Sequence, residues 1–200
     1  STMLFSQHQY DLPLFGDGSD GDLVVADGET YYTDQVKSQG SGSIGNNYVS
    51  VSNSGIFSVG DKIIIATMID NQGNSAVYDW TFLPETNLTG NNETRVIDFI
   101  ISNNIYFSDP LIYDYTSQSQ IIRLPEFNNL TINGTLTCSA WDGSTGGVVA
   151  FSVSNELILN GTIDASGKGF RGGSENISGG YPGEGLYGLA NEDYNSHRAN

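Results

Sequence analysis

The chain has 200 residues, with 7 Lys and Arg against 23 Asp and Glu and a net charge of −16. So anionic a chain cannot displace counterions from phosphate, which excludes sequence-independent nucleic-acid binding. One Cys and two His exclude a Cys/His structural zinc site and an intrachain disulfide, and no apolar run reaches the roughly 18 residues of a transmembrane helix.

Residues 1–6 lack the charged and apolar regions of a signal peptide. The chain is therefore expected to be a mature product or an excised piece, and its polar 191–200 end favours a piece. The first 36 residues hold six Asp and one Glu and no Lys or Arg. Asp17, Asp20 and Asp22 alternate there with Gly and Ser. Hard cations such as Ca²⁺ gather several carboxylate oxygens, so these three are the candidate metal ligands. The spacing departs from D-x-[DN]-x-[DN]-G, and a solvated Asp-Gly turn is the alternative.

No stretch keeps an apolar period of 3.6. Short β-branched and aromatic runs bounded by Gly, Asn, Asp and Ser recur instead, the signature of strands. Strands are predicted at 23–26, 31–33, 48–52, 62–69, 77–83, 95–101, 104–107, 120–124, 130–132, 135–138, 148–153, 157–159 and 162–165. The runs Ile63-Ile64-Ile65 and 96–101 are too apolar for one-sided exposure and read as central strands. Val59-Gly60-Asp61 reads as a tight corner, and 70–75 and 85–94 as exposed loops.

Residues 121–147 and 148–174 align without gaps at a period of 27. Leu130-Thr131-Ile132-Asn133-Gly134-Thr135-Leu136 falls on Leu157-Ile158-Leu159-Asn160-Gly161-Thr162-Ile163. A fixed period of this size suggests a solenoid, since each unit buries its apolar side chains only by stacking on the next. Each unit would be one coil of a parallel β-helix with about three strands. The Asn-Gly pairs would turn corners at positive φ, and Asn133 and Asn160 would form an amide ladder. Antiparallel hairpins with Asn-Gly turns are the competing arrangement. Two coils are too few to stand alone. The stretch 167–188, with 9 Gly in 22 residues, reads as a glycine-rich tail.

Gly167-Lys168-Gly169-Phe170-Arg171-Gly172 matches G-x-G-x-x-G, but residues 173–182 are too rich in Gly, Ser and Pro to form the helix that holds a pyrophosphate; the motif reads as a turn. There is no G-x-S-x-G elbow. His8 and His197 read as surface residues, and Cys138, aligned with Ala165, as a small buried one. Asp142, Asp164, Lys168 and Arg171 are the groups available for polysaccharide cleavage. The register sets Asp142 on Gly169 and Asp164 on Thr137, so the two carboxylates do not converge as an acid and base must. No catalytic residue and no cofactor beyond possible Ca²⁺ is assigned. Tyr31, Tyr32, Tyr113, Tyr115, Tyr181 and Tyr187, like Trp80 and Trp141, are available for stacking on sugars or at interfaces, with none singled out.

Six Asn-x-Ser/Thr triplets, at Asn87, Asn92, Asn129, Asn133, Asn160 and Asn176, are glycosylation acceptors in a secreted protein. With the Lys-poor, Asn/Ser/Gly-rich composition they point to an extracellular setting.

Several segments together resemble a known module. They are 16–23, the Phe57-Ser58-Val59-Gly60-Asp61 corner, Ile121-Ile122-Arg123-Leu124-Pro125, and 130–173 with its Ala140-Trp141-Asp142-Gly143 and Asn160-Gly161-Thr162-Ile163-Asp164 stretches. The module is common in large extracellular proteins of bacteria and archaea and in some phage tail fibres, usually before a long Gly-rich segment. The resemblance implies a surface, fibre or adhesin role with a β-helix-like part, and carries over no catalytic residue.

The sequence thus predicts an all-β chain. An N-terminal β-sandwich or roll (1–118) leads into a short parallel β-helix-like stack (119–174) and a Gly-rich tail (175–200). The expected role is a non-enzymatic structural or adhesive module of a filament, sheath or fibre on a cell or virion surface. It would self-associate into an oligomer or filament, with a glycan as possible ligand. The alternatives are a polysaccharide-cleaving β-helix enzyme and a glycan-binding receptor-recognition domain of a viral fibre.

Overall fold

The computed structural model describes residues 16–69 and 88–170, together with the backbone of a small strand pair at 175–176 and 179–180. The predicted strand 77–83 lies outside the described residues, as do His8, Trp80, Asn87, Arg171, Tyr181, Tyr187 and His197.

The described chain is all-β. Two strands open it, β1 (Leu23–Val25) and β2 (Thr30–Tyr32). Seven more form a second group: β3 (Lys37–Gly42), β4 (Tyr48–Val51), β5 (Lys62–Thr67), β6 (Asn92–Val96), β7 (Phe99–Ile101), β8 (Asn104–Tyr106) and β9 (Tyr115–Arg123). The repeat region holds β10 (Glu126–Ile132), β11 (Thr135–Thr137), β12 (Ser152–Leu159) and β13 (Thr162–Asp164). The last pair is β14 (Glu175–Asn176) with β15 (Gly179–Gly180), antiparallel.

The repeat is a parallel stack. Leu130 pairs with Leu157 and Ile132 with Leu159, and Thr135 pairs with Thr162 and Thr137 with Asp164. The hairpin alternative is thereby excluded. Each coil carries two strands rather than three, because residues 138–151 form no strand. One more coil, the first in chain order, comes from the beginning of the described chain, where no repeat is legible. β1 pairs parallel with β10, Leu23 opposite Leu130, and β2 with β11, Tyr31 opposite Leu136. The order is β1-β10-β12 on one side and β2-β11-β13 on the other. Val25, Phe127, Leu130, Ile132 and Leu136 fill the lumen, with Tyr31 edge-on to Phe127.

The Asn-Gly corners work differently from the expectation. Neither Gly134 nor Gly161 adopts positive φ. Glycine is required by proximity instead: a Cβ at Gly134 would stand 2.2 Å from the Ala26 carbonyl oxygen, and one at Gly161 2.0 Å from that of Gly134. The amide ladder does form, with Asn160 Nδ2 donating to Asn133 Oδ1 at 2.9 Å.

Between the first and second coils the chain builds one antiparallel sheet of seven strands, ordered β6-β5-β9-β3-β4-β8-β7. The sheet curls over its own core of Val49, Val51, Phe57, Ile63, Ile65, Ile97, Ile105, Phe107, Leu111, Tyr115 and Ile121, so it is a roll and not a two-sheet sandwich. β3 sits in the middle of it, yet its sequence is Lys-Ser-Gln-Gly-Ser-Gly. Its glycines give way to neighbours: a Cβ at Gly40 would lie 2.5 Å from Ile121 Cδ1, and one at Gly42 2.6 Å from Leu111 Cδ1. The run 96–101 is not a central strand. The chain turns at Ile97 and Asp98, leaving β6 and β7 at opposite edges of the sheet. Gly60 turns the predicted corner at φ +91, with the Ser58 amide donating to Asp61.

Roll and coils are joined by polar contacts. Lys62 on β5 pairs with Glu126 on β10 at 2.5 Å, both side chains buried. Arg123 bridges Asp61 of the roll and Asp20 ahead of β1. Gln120 exchanges two hydrogen bonds with the Gly146 backbone. Lys37 binds both Asp34 and Ser139.

Candidate functional site

The three aspartates of the first coil go to different partners. Asp17 accepts the Ser19 amide. Asp20 pairs with Arg123 and accepts the Glu126 amide. Asp22 accepts from the side chains of Asn128 and Asn129 and from the Asn129 amide. Asp20 and Asp22 thereby pin the first coil to the second. Among the described residues no three Asp, Glu, His or Cys side chains come together as a metal-ligand group. Ser19 holds the Asp17 carboxyl below the usual range, and the two asparagines do the same to Asp22.

Asp142 and Asp164 cap turns. Asp142 accepts the Ser144 and Thr145 amides, and Asp164 accepts the Ser166 amide. These bonds stabilise the ionised form and lower both pKa values, the reverse of what a general acid needs. Lys168 lies 6.0 Å from the centre of the Tyr32 ring, in cation–π range. Cys138 is fully buried, and burial pushes its thiol pKa up.

Of the acceptor triplets, Asn92 is exposed at the start of β6. Asn129 is held by Asp22 and Asn155, and Asn133 and Asn160 bond each other. A glycan on Asn129 or Asn133 would compete with the bonds that clamp the coils. Trp141 is buried edge-on to Phe170. Tyr115 is buried too, and burial with the nearby Glu93 carboxylate drives its phenol pKa far up. Tyr113 is exposed.

The surface most suited to a ligand is one the sequence did not single out. β4, β8 and β7 pair antiparallel, with Tyr48 opposite Tyr106 and Tyr106 opposite Phe99. Val49, Ile105 and Ile100 face the roll's core from these strands. Alternation therefore places Tyr48, Tyr106 and Phe99 in one row on the outer face. Phe99 and Tyr106 stack at 4.5 Å between centroids and 13° between planes, and Tyr48 leans on Tyr106 at 5.3 Å and 37°. Since β7 is an edge strand, no further strand among the described residues lies beyond Phe99, which is 44% exposed.

The next row on the same face is Ser41, Ser50, Asn104 and Ile101, with the Ser50 hydroxyl donating to Asn104 Oδ1 at 2.7 Å. An aromatic row thus runs beside a row of hydrogen-bonding groups. At one end, residues 107–111 bond back to 45–47. This brings exposed Ile44, Ile112 and Tyr113 to the end of the sheet where Tyr48 and Tyr106 lie. Contiguous exposed apolar groups rimmed by polar ones mark binding surfaces.

No protein-family model matches the chain, and no curated protein matches it. The solved structures it resembles include three phage tailspikes. One is the gp54 tailspike of Acinetobacter baumannii bacteriophage AP22 in complex with A. baumannii capsular saccharide (TM-score 0.32, 14% identity, 72% of this chain and 29% of that one). Another is the gp61 tailspike of Pseudomonas phage phi297 (TM-score 0.32, 8% identity, 72% and 25%). A third is the gp49 tailspike of Pseudomonas phage LKA1 (TM-score 0.32, 9% identity, 74% and 31%). The chain spans less than a third of the length of each. Among the described residues no helix is long and apolar enough to cross a membrane.

Proposed function

We propose that the chain is a glycan-recognising module of an extracellular fibre, in which the coils form a rigid stalk segment and the roll presents the binding face. The observation that carries this reading is the open aromatic row Tyr48–Tyr106–Phe99 beside Ser50 and Asn104. Sugar rings offer an apolar face of C–H groups and a rim of hydroxyls. An aromatic face flanked by hydrogen-bonding side chains matches both at once, and aromatic rings supply that contact area at little entropic cost. The row sits on a strand scaffold, which fixes it more firmly than a loop would.

Binding is favoured over cleavage because Asp142 and Asp164 serve as ionised turn caps, which is the wrong protonation bias for a leaving-group acid. A structural role for the coils belongs to the same reading. Leu157, Leu159 and Ile163 of the third coil are 46%, 51% and 39% exposed, whereas their stacked counterparts Leu130, Ile132 and Leu136 are at 0%. Among the described residues, the apolar column of the stalk is open at that end.

The test is an immobilised array of bacterial surface polysaccharides and defined oligosaccharides, probed with the intact chain and with Phe99→Ala. Saturable binding that drops at least about tenfold in Phe99→Ala supports the reading; it is overturned if no glycan binds or if the variant binds as well as the parent.

A further inference from the structure

We infer that the Tyr48–Tyr106–Phe99 face takes a glycan that carries no carboxylate or phosphate, a neutral hexose or N-acetylhexosamine chain whose ring extends the aromatic stack on the open side of Phe99. This rests on the glycan-recognition reading and deepens it. Recognition of an anionic sugar requires a cation or a fork of donors aimed at it. β4, β7 and β8 contain no Lys or Arg. The cations elsewhere in the described roll and its junction are already engaged. Lys37 pairs with Asp34, Lys62 with Glu126, Arg95 with Glu93, and Arg123 with Asp20 and Asp61. Arg95, the cation on β6, is buried, and its guanidinium also donates to the carbonyls of Thr94 and Pro110.

Among the described residues, the charged groups next to the row in the chain are negative. Asp98 precedes Phe99, its amide donates to the Tyr106 carbonyl at 2.9 Å, and Ser108 donates to its carboxylate at 2.5 Å. Asp109 is next to Ser108 in the chain, and both aspartates are exposed. Together with the net charge of −16, they place an unfavourable field over any acidic ligand within a Debye length of about 8–10 Å. A neutral ring meets none of this repulsion. The donors and acceptors it finds on the face are uncharged: Ser41, Ser50, Asn104 and the tyrosine hydroxyls. The ring order supports the docking direction. Tyr106 is covered on both sides by Phe99 and Tyr48, whereas Phe99 ends the row at the sheet edge.

The experiment uses the intact chain, with Phe99→Ala and a double variant Asp98→Asn with Asp109→Asn. The probes are neutral hexose and N-acetylhexosamine oligosaccharides, each paired with its C6-oxidised uronic-acid counterpart of equal length, at low salt and at 0.5 M salt (about a 4 Å Debye length). Neutral probes are expected to bind at least about ten times more tightly than their acidic partners at low salt. That ratio is expected to shrink at least about threefold in high salt and in the double variant, while Phe99→Ala loses the neutral probes. Acidic partners that bind as tightly as neutral ones, still dependent on Phe99, overturn the inference and leave the glycan reading standing. A ratio unmoved by salt and by the double variant overturns its electrostatic basis. Absence of any Phe99-dependent binding overturns the glycan reading and this inference with it.

Discussion

Gly161 lies on the backbone of Gly134 so closely that a methyl group added to it would fall 2.0 Å from the Gly134 carbonyl oxygen. The same relation holds one coil earlier, between Gly134 and Ala26. Successive coils therefore meet at their corners through bare backbone, and the Asn side chains beside the glycines bridge the gap with an amide ladder. The stack is held by this contact and by the apolar column inside it, and the roll is joined to it by the buried Lys62–Glu126 pair and by the partly exposed Arg123 bridge.

Gly134→Ala is expected to destabilise the chain by about 2 kcal/mol or more, because the methyl meets backbone carbonyls that cannot swing aside. Gly169→Ala, where an added Cβ meets nothing within 4 Å, is expected to be neutral within about 0.5 kcal/mol. Urea unfolding of the two variants beside the parent checks the contrast.

The Lys62–Glu126 pair gives a second test, at the junction of roll and coils. Lys62→Met leaves the Glu126 carboxylate buried without its partner, and a cost of about 3–5 kcal/mol is expected. Lys62→Met combined with Glu126→Leu removes both charges and is expected to recover most of that loss. A double-mutant cycle by chemical denaturation measures the coupling.

Ser102 turns between β7 and β8 at φ +52, the one positive-φ residue besides glycine among the described residues. Glycine relieves that strain, so Ser102→Gly is expected to stabilise the hairpin by up to about 1 kcal/mol. Its carbonyl bond from Ser54 is retained. Thermal unfolding reads the change, and glycan affinity is expected to stay at the parent's value.

Acid weakens the clamp between the first two coils. Asn128 and Asn129 lower the Asp22 pKa from an ordinary value of 3.8. A depressed folded-state pKa gives stability that is complete above the unfolded value and lost as pH falls through the folded one. The contribution of Asp22 is therefore present above about pH 4 and disappears below it. Asp22→Asn is expected to lower stability at pH 7 and to flatten its decline between about pH 5 and 2, as measured by denaturation at stepped pH.

The second and third coils were legible because their corners have equal length, so one ungapped register aligns them. The first coil was not. Its corner is Ala26-Asp27-Gly28-Glu29 where the second has only Asn133-Gly134, and the whole roll stands between it and its partners. β3 was hidden for another reason: its place at the centre of the sheet depends on small residues that admit Ile121 and Leu111 from their neighbours, so nothing in its composition marks it as a strand. The aromatic row was invisible because Tyr48, Phe99 and Tyr106 meet only through the cross-strand register of β4, β8 and β7. Alternation along each strand placed them outward, but nothing local placed them together.

Locating the bound sugar distinguishes the aromatic face of the roll from every other surface. Backbone amide shifts of the intact chain, followed by NMR while a binding oligosaccharide is titrated in, are predicted to move first at Tyr48, Phe99, Asn104 and Tyr106. Intermolecular contacts are predicted between sugar ring protons and the Phe99 ring. Shifts confined to the coil strands β10 to β13, with these four residues unmoved, would contradict glycan recognition by the roll.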